Sequence, residues 1–386
     1  MDNQLTHDIF YIGANDKTLD LFEGQYIIPN GISYNSYIIM DDKIAVLDTV
    51  DKRATQTWFN NLDHALNNRL PDYLVVLHME PDHAANISAF LDKYPSAKIV
   101  VNTKTSKMIP QFFPNLNLDE RIVLVDEQTP LSLGKHTLNF IMAPMVHWPE
   151  VMMAYDNLDK ILFSADAFGK FGALDTQEDW DCEARRYYIN IVGKYGVQVQ
   201  NVLKKVSTLD IQKIFPLHGP MLTSNLEHYL EKYDIWSSYR PEDHGTFIAY
   251  ASIYGNTKQA AEILADILRN KGEKVEISDL AREDWAEAVE NAFRYDKMVV
   301  ASPTYDGEIF PVIEAFLNHI KSKNYQNRTV GFIENGSWAP MAAKKMRASL
   351  ENCKNLTFVD PVVSILSSIT EADKTALGNL AIALVG

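Results

Sequence analysis

The sequence has little cysteine: Cys182 and Cys353 are the only two among 386 residues. They lie in different halves of the chain, so we do not expect a disulfide between them, and we predict two buried, unreactive thiols in a reducing cytoplasm. A Gly-x-Gly-x-x-Gly fingerprint is also missing. Its absence argues against FAD or NAD bound in the manner of a Rossmann domain.

Long apolar segments and basic residues are scarce as well. No apolar run approaches membrane-spanning length, and the first four residues lack the basic-then-apolar order of a signal peptide. We therefore expect a cytoplasmic protein with no membrane segment. Lys and Arg number 36 against 51 Asp and Glu, which gives a net charge of −15. That charge argues against nucleic acid as a partner, because phosphates would be repelled.

The length and composition are sufficient for two domains. Apolar residues make up 46% of the 386 positions, which supports a full core in each domain, and no internal repeat appears. The segment Tyr239–Gly245 is polar and contains proline and glycine, as is typical of a short linker. We predict a first domain over residues 1–240 and a second over residues 246–386.

Four potential metal ligands occur within the six residues His78-Met79-Glu80-Pro81-Asp82-His83. The apolar run Tyr73–Leu77 before them predicts a buried strand, and Ala84–Leu91 after them predicts a helix. The four side chains are therefore expected on the turn between the two elements, where a rigid backbone can direct them toward a metal. A solvated polar loop is the alternative, but two imidazoles and two carboxylates within six residues favour a metal site.

Three later residues follow the same pattern of a short apolar run with a ligand at its end: His147, Asp166 and His218. The total of four histidines and three carboxylates exceeds the four ligands of a closed zinc site, so we predict two metals that share one carboxylate. Three carboxylates favour iron or manganese over zinc. The candidate ligands, which are also the candidate catalytic residues, are His78, Glu80, Asp82, His83, His147, Asp166 and His218.

The second half of the chain alternates apolar strands with amphipathic helices. The segments Phe247–Ala251, Lys297–Ala301 and Thr329–Ile333 predict parallel strands, and a polar loop follows each. The first loop has hydroxyls and a glycine before the predicted helix Lys258–Asn270, which suits a phosphate at a helix N-terminus. Loops at the carboxyl ends of parallel strands that also contain aromatic residues suit a planar ligand, so we predict a flavodoxin-like domain with FMN.

The predicted cofactor-binding residues are those of the three loops. The first loop consists of Ser252, Ile253, Tyr254, Gly255, Asn256 and Thr257. The second consists of Ser302, Pro303, Thr304, Tyr305, Asp306 and Gly307, and the third of Asn335, Gly336, Ser337 and Trp338.

The ordered combination of these motifs resembles the flavodiiron proteins, or A-type flavoproteins. The motif His-x-Glu-x-Asp-His is similar to the His-x-His-x-Asp-His motif of metallo-β-lactamases, with Glu80 in place of the second histidine. The resemblance implies an αββα metallo-β-lactamase-like sandwich followed by a flavodoxin-like, doubly wound parallel sheet. Its third flavin loop is usually richer in glycine than Trp338-Ala339-Pro340 of this chain.

The resemblance also implies a role for each ligand. One iron, nearer the flavin, would be bound by His78, Glu80 and His147. The second iron would be bound by Asp82, His83 and His218, with Asp166 bridging the two.

The implied activity is the reduction of dioxygen to water, of nitric oxide to nitrous oxide, or of both. Two ferrous ions and a reduced FMN together hold the four electrons that dioxygen needs, and two of those suffice for two molecules of nitric oxide. The usual donor in the family is a rubredoxin, here a separate protein because no Cys-x-x-Cys pair follows the flavodoxin part. A head-to-tail homodimer, or a dimer of dimers, would bring the FMN of one chain to the irons of the other.

Two other functions remain open from the sequence. A dinuclear metallohydrolase would use the same fold with zinc, although Glu80 and the flavin domain argue against it. A flavodoxin-type electron carrier would need only the second domain, although a complete set of seven ligands argues against an idle metal domain. The sequence does not distinguish dioxygen from nitric oxide, because both would use the same ligands.

Overall fold

The computed structural model describes residues 3–118 and 120–386, and contacts within the chain divide it into two compact units. The first unit runs to Tyr188 and resumes over Val197–Asp234. The second consists of Ile189–Gly196 and Ile235–Gly386. The domain limits predicted above, 1–240 and 246–386, stay a proposal.

The first unit contains two main sheets and two small hairpin sheets. Its strands are β1 (Ile9–Tyr11), β2 (Ala14–Asp16), β3 (Leu21–Phe22), β4 (Tyr26–Ile27), β5 (Ile32–Tyr34), β6 (Tyr37–Met40), β7 (Ile44–Leu47), β8 (Tyr73–Val75), β9 (Lys98–Val101), β10 (Ile122–Leu124), β11 (Leu131–Ser132), β12 (Thr137–Met142), β13 (Met152–Asp156), β14 (Ile161–Phe163) and β15 (Lys213–Phe215). One main sheet has the order β1-β6-β7-β8-β9-β10, with parallel pairing from β7 onward. The other has the order β11-β12-β13-β14-β15, and only its last pairing is parallel.

Helices cover these sheets and connect their strands. They are α1 (Thr55–Leu66), α2 (Pro81–Ala84), α3 (Ile87–Lys93), α4 (Thr103–Phe112), α5 (Trp180–Tyr187), α6 (Gly196–Val206) and α7 (Leu226–Ser237). A short 3-10 helix spans Lys52–Ala54. The π-helix Tyr188–Val192 and the 3-10 helix Gly193–Tyr195 follow α5, and all but Tyr188 of them belongs to the second unit. Helix α1 buries Trp58, Leu62 and Leu66 along one face, which is the pattern of an amphipathic helix packed on a core.

Aromatic side chains pack the two main sheets together. Tyr37 of β6 stacks on Phe215 of β15 with ring centroids 5.4 Å apart, and its centroid lies 5.3 Å from that of Phe163 on β14. The Tyr37 hydroxyl donates a hydrogen bond to the carbonyl of Pro216 at 2.6 Å, so its buried polar atom is satisfied. Two packed sheets with helices on them confirm the predicted metallo-β-lactamase-like sandwich.

The second unit is one parallel sheet with helices on both faces. Its elements are β16 (Asp243–Tyr250), α8 (Asn256–Asn270), β17 (Val275–Asp279), α9 (Trp285–Arg294), β18 (Tyr295–Tyr305), β19 (Glu308–Ile309), α10 (Pro311–Ser322), β20 (Thr329–Asn335), α11 (Ala342–Leu350), β21 (Thr357–Phe358), β22 (Val363–Ile365) and α12 (Glu371–Val385). The strand order is β17-β16-β18-β20-β21, with β22 also on β20 and β19 antiparallel to β18. This 2-1-3-4-5 order confirms the flavodoxin-like, doubly wound sheet.

Some local predictions differ from the structure. Asp82 and His83 lie on the short helix α2 and not on a turn, because Pro81 has the fixed φ that suits a first helical residue. Strand β18 extends to Tyr305, so the first four residues of the second predicted loop are strand. The prediction of buried thiols is wrong, since Cys182 is exposed and Cys353 half-buried. Among the described residues, none of the helices has the length and apolar character needed to cross a bilayer.

Candidate functional site

Four of the predicted ligands converge at the end of strand β8. The Nε2 atoms of His78 and His147 lie 3.2 and 2.9 Å from Oε2 of Glu80. The same two nitrogens lie 3.4 and 3.1 Å from Oδ2 of Asp166. Two imidazole nitrogens and two carboxylate oxygens therefore surround a common point, as the ligands of one ion would.

The other three predicted ligands form a second group around the same aspartate. The Nε2 atoms of His83 and His218 lie 3.4 and 3.1 Å from Oδ2 of Asp82, and 3.0 Å from each other. Oδ1 of Asp166 lies 3.1 Å from Nε2 of His83 and 3.8 Å from Nε2 of His218. The structure thus brings all seven predicted ligands together in two adjacent groups.

Asp166 belongs to both groups because each of its carboxylate oxygens faces a different one. Oδ2 faces His78 and His147, whereas Oδ1 faces His83 and His218. The residue before it, Ala165, has a φ of 50°. A non-glycine residue in this left-handed region costs conformational energy, and such positions cluster at functional sites. The backbone is held in an unfavourable conformation at the point where the carboxylate is presented to both groups.

The buried lone pairs of these side chains fit metal ions. Neither carboxylate oxygen of Asp82 makes a hydrogen bond with any described residue, nor do Oδ1 of Asp166 and Nε2 of His147. Buried polar atoms that lack hydrogen bonds are expensive unless a cation satisfies them. With three carboxylates and four imidazoles in reach, two divalent ions fit the donor set.

The carboxylates and imidazoles of the first ligand group shift each other's pKa values. Burial raises the pKa of Glu80, but the nearby imidazoles of His147 and His78 outweigh it and lower that pKa to about 2. Burial lowers the pKa of His147, but the carboxylates of Asp166 and Glu80 outweigh it and raise that pKa to about 9. Glu80 is therefore ionised over the physiological range. In the absence of a metal, a proton on His147 compensates its charge.

Outer residues that the sequence prediction missed orient the ligands. Oε1 of Glu150 accepts a hydrogen bond from Nδ1 of His78 at 2.8 Å, and the carbonyl of Ser33 accepts one from Nδ1 of His218 at 2.7 Å. Each bond fixes the tautomer that leaves the Nε2 lone pair toward the metal position. Glu150 lies only three residues after His147, and its nearness to a ligand was the only sequence signal for it. Nothing in the sequence indicates Ser33, because its backbone carbonyl and not its side chain accepts the hydrogen bond from His218.

Asp48 supports the backbone of the same site. Its Oδ1 accepts hydrogen bonds from the N–H groups of Leu77 at 2.8 Å and His78 at 3.3 Å. Burial raises the pKa of this fully enclosed carboxyl to about 8. Asp48 directly follows the apolar run Ile44–Leu47, so the pattern that indicated His147, Asp166 and His218 was present here too and was missed.

The three predicted flavin loops meet around a cavity of about 550 Å³ in the second unit. Its lining residues are Ser252, Ile253, Tyr254, Asn256, Thr257, Pro303, Thr304, Asp306, Gly307, Asn335, Gly336, Ser337, Trp338, Ala339, Met341 and Ser367. Three of the predicted residues, Gly255, Ser302 and Tyr305, are not in the lining. Ser302 is fully buried and its hydroxyl accepts a hydrogen bond from the N–H of Phe310, so it shapes the loop. Met341 and Ser367 were missed because they lie beyond the loops that follow the strands.

The cavity has features that fit a phosphate and a planar ring. Helix α8 begins at Asn256 after Gly255, which has a φ of 95° and no heavy atom within 4 Å of the position where a Cβ would lie. The helix N-terminus therefore stays open to an anion. The rings of Tyr254 and Trp338 are 92% and 82% exposed at the cavity. Exposed aromatic rings beside a cavity suit an aromatic ligand that would cover them.

Comparisons with known proteins agree with both units. Residues 32–219 match the family model described as "ODP family beta lactamase", and residues 247–359 match "Flavodoxin domain". The "Anaerobic nitric oxide reductase flavorubredoxin" of Vibrio vulnificus is 28% identical over 91% of this chain and 73% of its own length. The chain has the two domains of a flavodiiron protein.

Solved structures show the same flavodiiron fold. Rubredoxin oxygen:oxidoreductase from Desulfovibrio gigas matches with a TM-score of 0.92 and 24% identity, covering 99% of this chain and 97% of the other. The flavodiiron protein from Giardia intestinalis matches with a TM-score of 0.88 and 24% identity, covering 100% and 97%. A flavodoxin domain implies an FMN, which fits the cavity described above, and the two ligand groups fit the diiron centre of flavodiiron proteins.

The buried carboxylate of Glu150 gives a first prediction for this flavodiiron chain. We expect Glu150→Gln to weaken iron binding by roughly 10- to 100-fold, because the amide no longer stabilises the His78 ring with a full negative charge. Iron content after dialysis against a graded chelator measures the effect. Glu127→Gln is the control, since Glu127 also accepts hydrogen bonds, from Lys205 and the N–H of Met142, but faces no ligand. Equal iron retention in the two variants would contradict the orienting role of Glu150.

Proposed function

We propose that this chain is an oxidoreductase that reduces dioxygen to water, nitric oxide to nitrous oxide, or both, and so removes these gases. The observation that carries the proposal is the pair of ligand groups sharing Asp166, in a chain that also has a flavin-sized cavity in a flavodoxin unit. The names of the relatives support both gases: the Vibrio vulnificus protein is a nitric oxide reductase and the Desulfovibrio gigas protein an oxygen:oxidoreductase.

The residues of the first unit have distinct tasks in this proposal. One iron would be held by His78, Glu80 and His147, the other by Asp82, His83 and His218, with Asp166 shared. The three carboxylates would offset most of the charge of two divalent ions, and the buried carboxylate of Glu150 behind His78 would add to this. When bound, the irons and FMN would supply the electrons that either gas consumes.

The surroundings of the ligands would exclude bulk water and hold the rings still. Phe22 contacts the ring of His218 edge-on with centroids 5.4 Å apart, and Trp148 contacts the ring of His78 edge-on at 5.2 Å. Both aromatic side chains present apolar surface beside the ligand groups. A small apolar gas would enter such surroundings more readily than a charged substrate would.

The second unit would hold the flavin through its three loops. The open N-terminus of α8 would receive the phosphate, with the side chain of Thr257 beside it. Tyr254 and Trp338 offer apolar ring surface at the mouth of the cavity, where the flavin ring would cover it. The residues Ala339, Met341 and Ser367 extend the predicted contact set.

Parallel turnover with both gases tests the proposed function. Protein with measured iron and FMN contents is reduced without oxygen and then mixed separately with dioxygen and with nitric oxide. We expect reoxidation that depends on iron, with water and no superoxide or peroxide from dioxygen, or with nitrous oxide from nitric oxide. Full activity with zinc and no reductant would instead indicate a metallohydrolase. Reoxidation that releases peroxide at the rate of free flavin, with or without iron, would indicate an electron carrier.

We further propose that the chain works in the cytoplasm as a head-to-tail homodimer, alone or as a dimer of dimers. A small redox carrier such as a rubredoxin would deliver its electrons. The family resemblance supports the pairing, and the name of the Desulfovibrio gigas protein supports the donor. Cys182 and Cys353, which lie in different units and share no disulfide, fit a reducing compartment. The net charge of −15 argues against nucleic acid and against membrane surfaces as partners.

A further inference from the structure

Strand β12 leads to His147 at its C-terminal end. A second cluster of potential ligands lies at its N-terminal end. Its centre is His136, which directly precedes β12 and whose side chain is fully buried. The N–H of His136 donates to Oδ2 of Asp41 at 2.7 Å, and the N–H of Leu133 donates to the carbonyl of His136 at 2.9 Å. The backbone around the ring is therefore fixed by the tight turn between β11 and β12.

One nitrogen of the His136 ring is already satisfied. Nδ1 lies 3.1 Å from Oδ1 of Asp156, whose side chain is also fully buried. Oδ2 of Asp156 accepts a hydrogen bond from the N–H of Asp159 at 2.9 Å, so both oxygens of this carboxylate have partners. A buried carboxylate on Nδ1 of a histidine fixes the tautomer that leaves a lone pair on Nε2, as in the carboxylate–histidine–metal arrangement.

The other nitrogen of His136 is open. Nε2 has no hydrogen-bond partner among the residues that the structure describes. The carboxylate nearest to it is that of Asp8, whose Oδ2 lies 3.6 Å away, beyond hydrogen-bond distance. The backbone of Asp8 is ordered, since its carbonyl accepts a hydrogen bond from the N–H of Met40 at 2.8 Å. A fixed imidazole nitrogen thus faces a carboxylate on an ordered backbone across a gap of 3.6 Å.

That gap has the size of a bound ion. At metal–ligand distances of about 2.1 Å, two ligands in a tetrahedral zinc site lie roughly 3.4 Å apart. The neighbouring residue His7 is hydrogen-bonded to the other oxygen of Asp8, since its Nδ1 lies 2.7 Å from Oδ1 on a side chain that is 90% exposed. We propose that His136 and Asp8 bind one divalent ion of the zinc type, with Asp156 orienting His136 and water completing the coordination.

The same geometry argues against an ion on the other side of the ring. Atoms of His136, Asp156 and Asp159 lie within 4.8 Å of one another. An ion among them would have to break the Nδ1 bond to Asp156 and the turn bond to Asp159, whereas an ion at Nε2 breaks neither. A competing cation is present at the proposed position, since Nζ of Lys135 lies 3.9 Å from Oδ2 of Asp8. The proposed site therefore predicts that substitutions of Lys135 and of Asp8 have opposite effects on zinc affinity.

The test is metal counting on the iron-loaded protein. After equilibration with micromolar Zn²⁺, zinc and iron are quantified on the same sample, and we expect about one zinc per chain with the iron content unchanged. Zinc taken up only in exchange for iron would show that the diiron ligands bind it and would overturn the proposal. Because the iron content is read separately, a failure of this site is distinguishable from a failure of the proposed function.

Variants separate coordination from a purely structural role. Asp8→Asn and His136→Gln should abolish the additional zinc, and Asp156→Asn should weaken it by roughly 10- to 100-fold. Lys135→Gln should tighten it, because the competing charge is gone.

Each variant must keep its iron, which shows that the first unit is folded. The partly exposed Asp8 provides a test even if the buried His136→Gln variant loses its fold. Zinc binding that survives Asp8→Asn unchanged, or that Lys135→Gln does not tighten, would contradict the assignment. If the parent protein binds no zinc beyond the diiron site, the proposal is wrong and Nε2 of His136 binds a proton instead.

Discussion

Replacing Asp166 with alanine is expected to remove both irons and to lower turnover with either gas by at least ~100-fold, while FMN stays bound. The reason is geometric: its two carboxylate oxygens face different ligand groups, Oδ2 toward His147 and Oδ1 toward His83. Loss of this one side chain therefore removes a ligand from each metal at once. It also removes the negative charge that holds the buried imidazoles close together.

Iron and flavin are measured on the same purified sample to separate this loss from unfolding. Asp210→Ala is the control, because Asp210 is an exposed aspartate of the same unit whose carboxylate pairs with Lys160 and Gln212. The control should keep both irons and full turnover. If Asp166→Ala retains one tightly bound iron, the carboxylate serves a single metal and the shared role is wrong.

Four of the predicted ligands, His78, His147, Asp166 and His218, each follow a short apolar run, and this pattern indicated them in the sequence. Strand ends in a sandwich converge, so residues separated by 135 positions, such as His83 and His218, could be grouped without coordinates. The grouping itself was given by resemblance, and the structure places the side chains accordingly. Their assignment as iron ligands stays a proposal that metal analysis must test.

The parts that the sequence did not predict act through the backbone or over long range. The carbonyl of Ser33 accepts a hydrogen bond from His218 without any property of the serine side chain. Met341 and Ser367 line the flavin cavity from segments beyond the strand-end loops. Glu150 and Asp48 are ordinary acidic residues until burial gives each a specific partner. Such roles depend on the position of a residue in the tertiary structure, which hydrophobic periodicity and amino-acid composition do not indicate.

The flavin cavity gives the second large effect. Thr257→Glu places a carboxylate at the N-terminus of α8, where the helix dipole and open N–H groups favour an anion. The new carboxylate would compete for the position of the FMN phosphate and repel it. We expect the variant to lose its FMN and all donor-driven turnover while it keeps both irons. Flavin absorbance after gel filtration, with iron measured in parallel, gives the result.

Two further variants distinguish an effect of the added charge from a change in folding. Thr257 is buried, so Thr257→Ser, which keeps the hydroxyl, should retain FMN. Asn256→Asp adds the same charge with almost no change in volume at a half-buried position and should weaken FMN binding as well. Retention of FMN in both acidic variants would place the phosphate elsewhere, as would an extracted flavin that proves to be FAD.

The two inactive variants together test the proposed dimer. Asp166→Ala would retain flavin but no iron, and Thr257→Glu would retain iron but no flavin. In a head-to-tail pair, each mixed dimer has one intact flavin opposite one intact diiron site, so subunit exchange should restore part of the activity. If electrons pass only within one chain, no mixture has both working centres in that chain. Mixtures that exchange subunits, as followed by a tag on one variant, and yet stay inactive would therefore assign the electron path to a single chain.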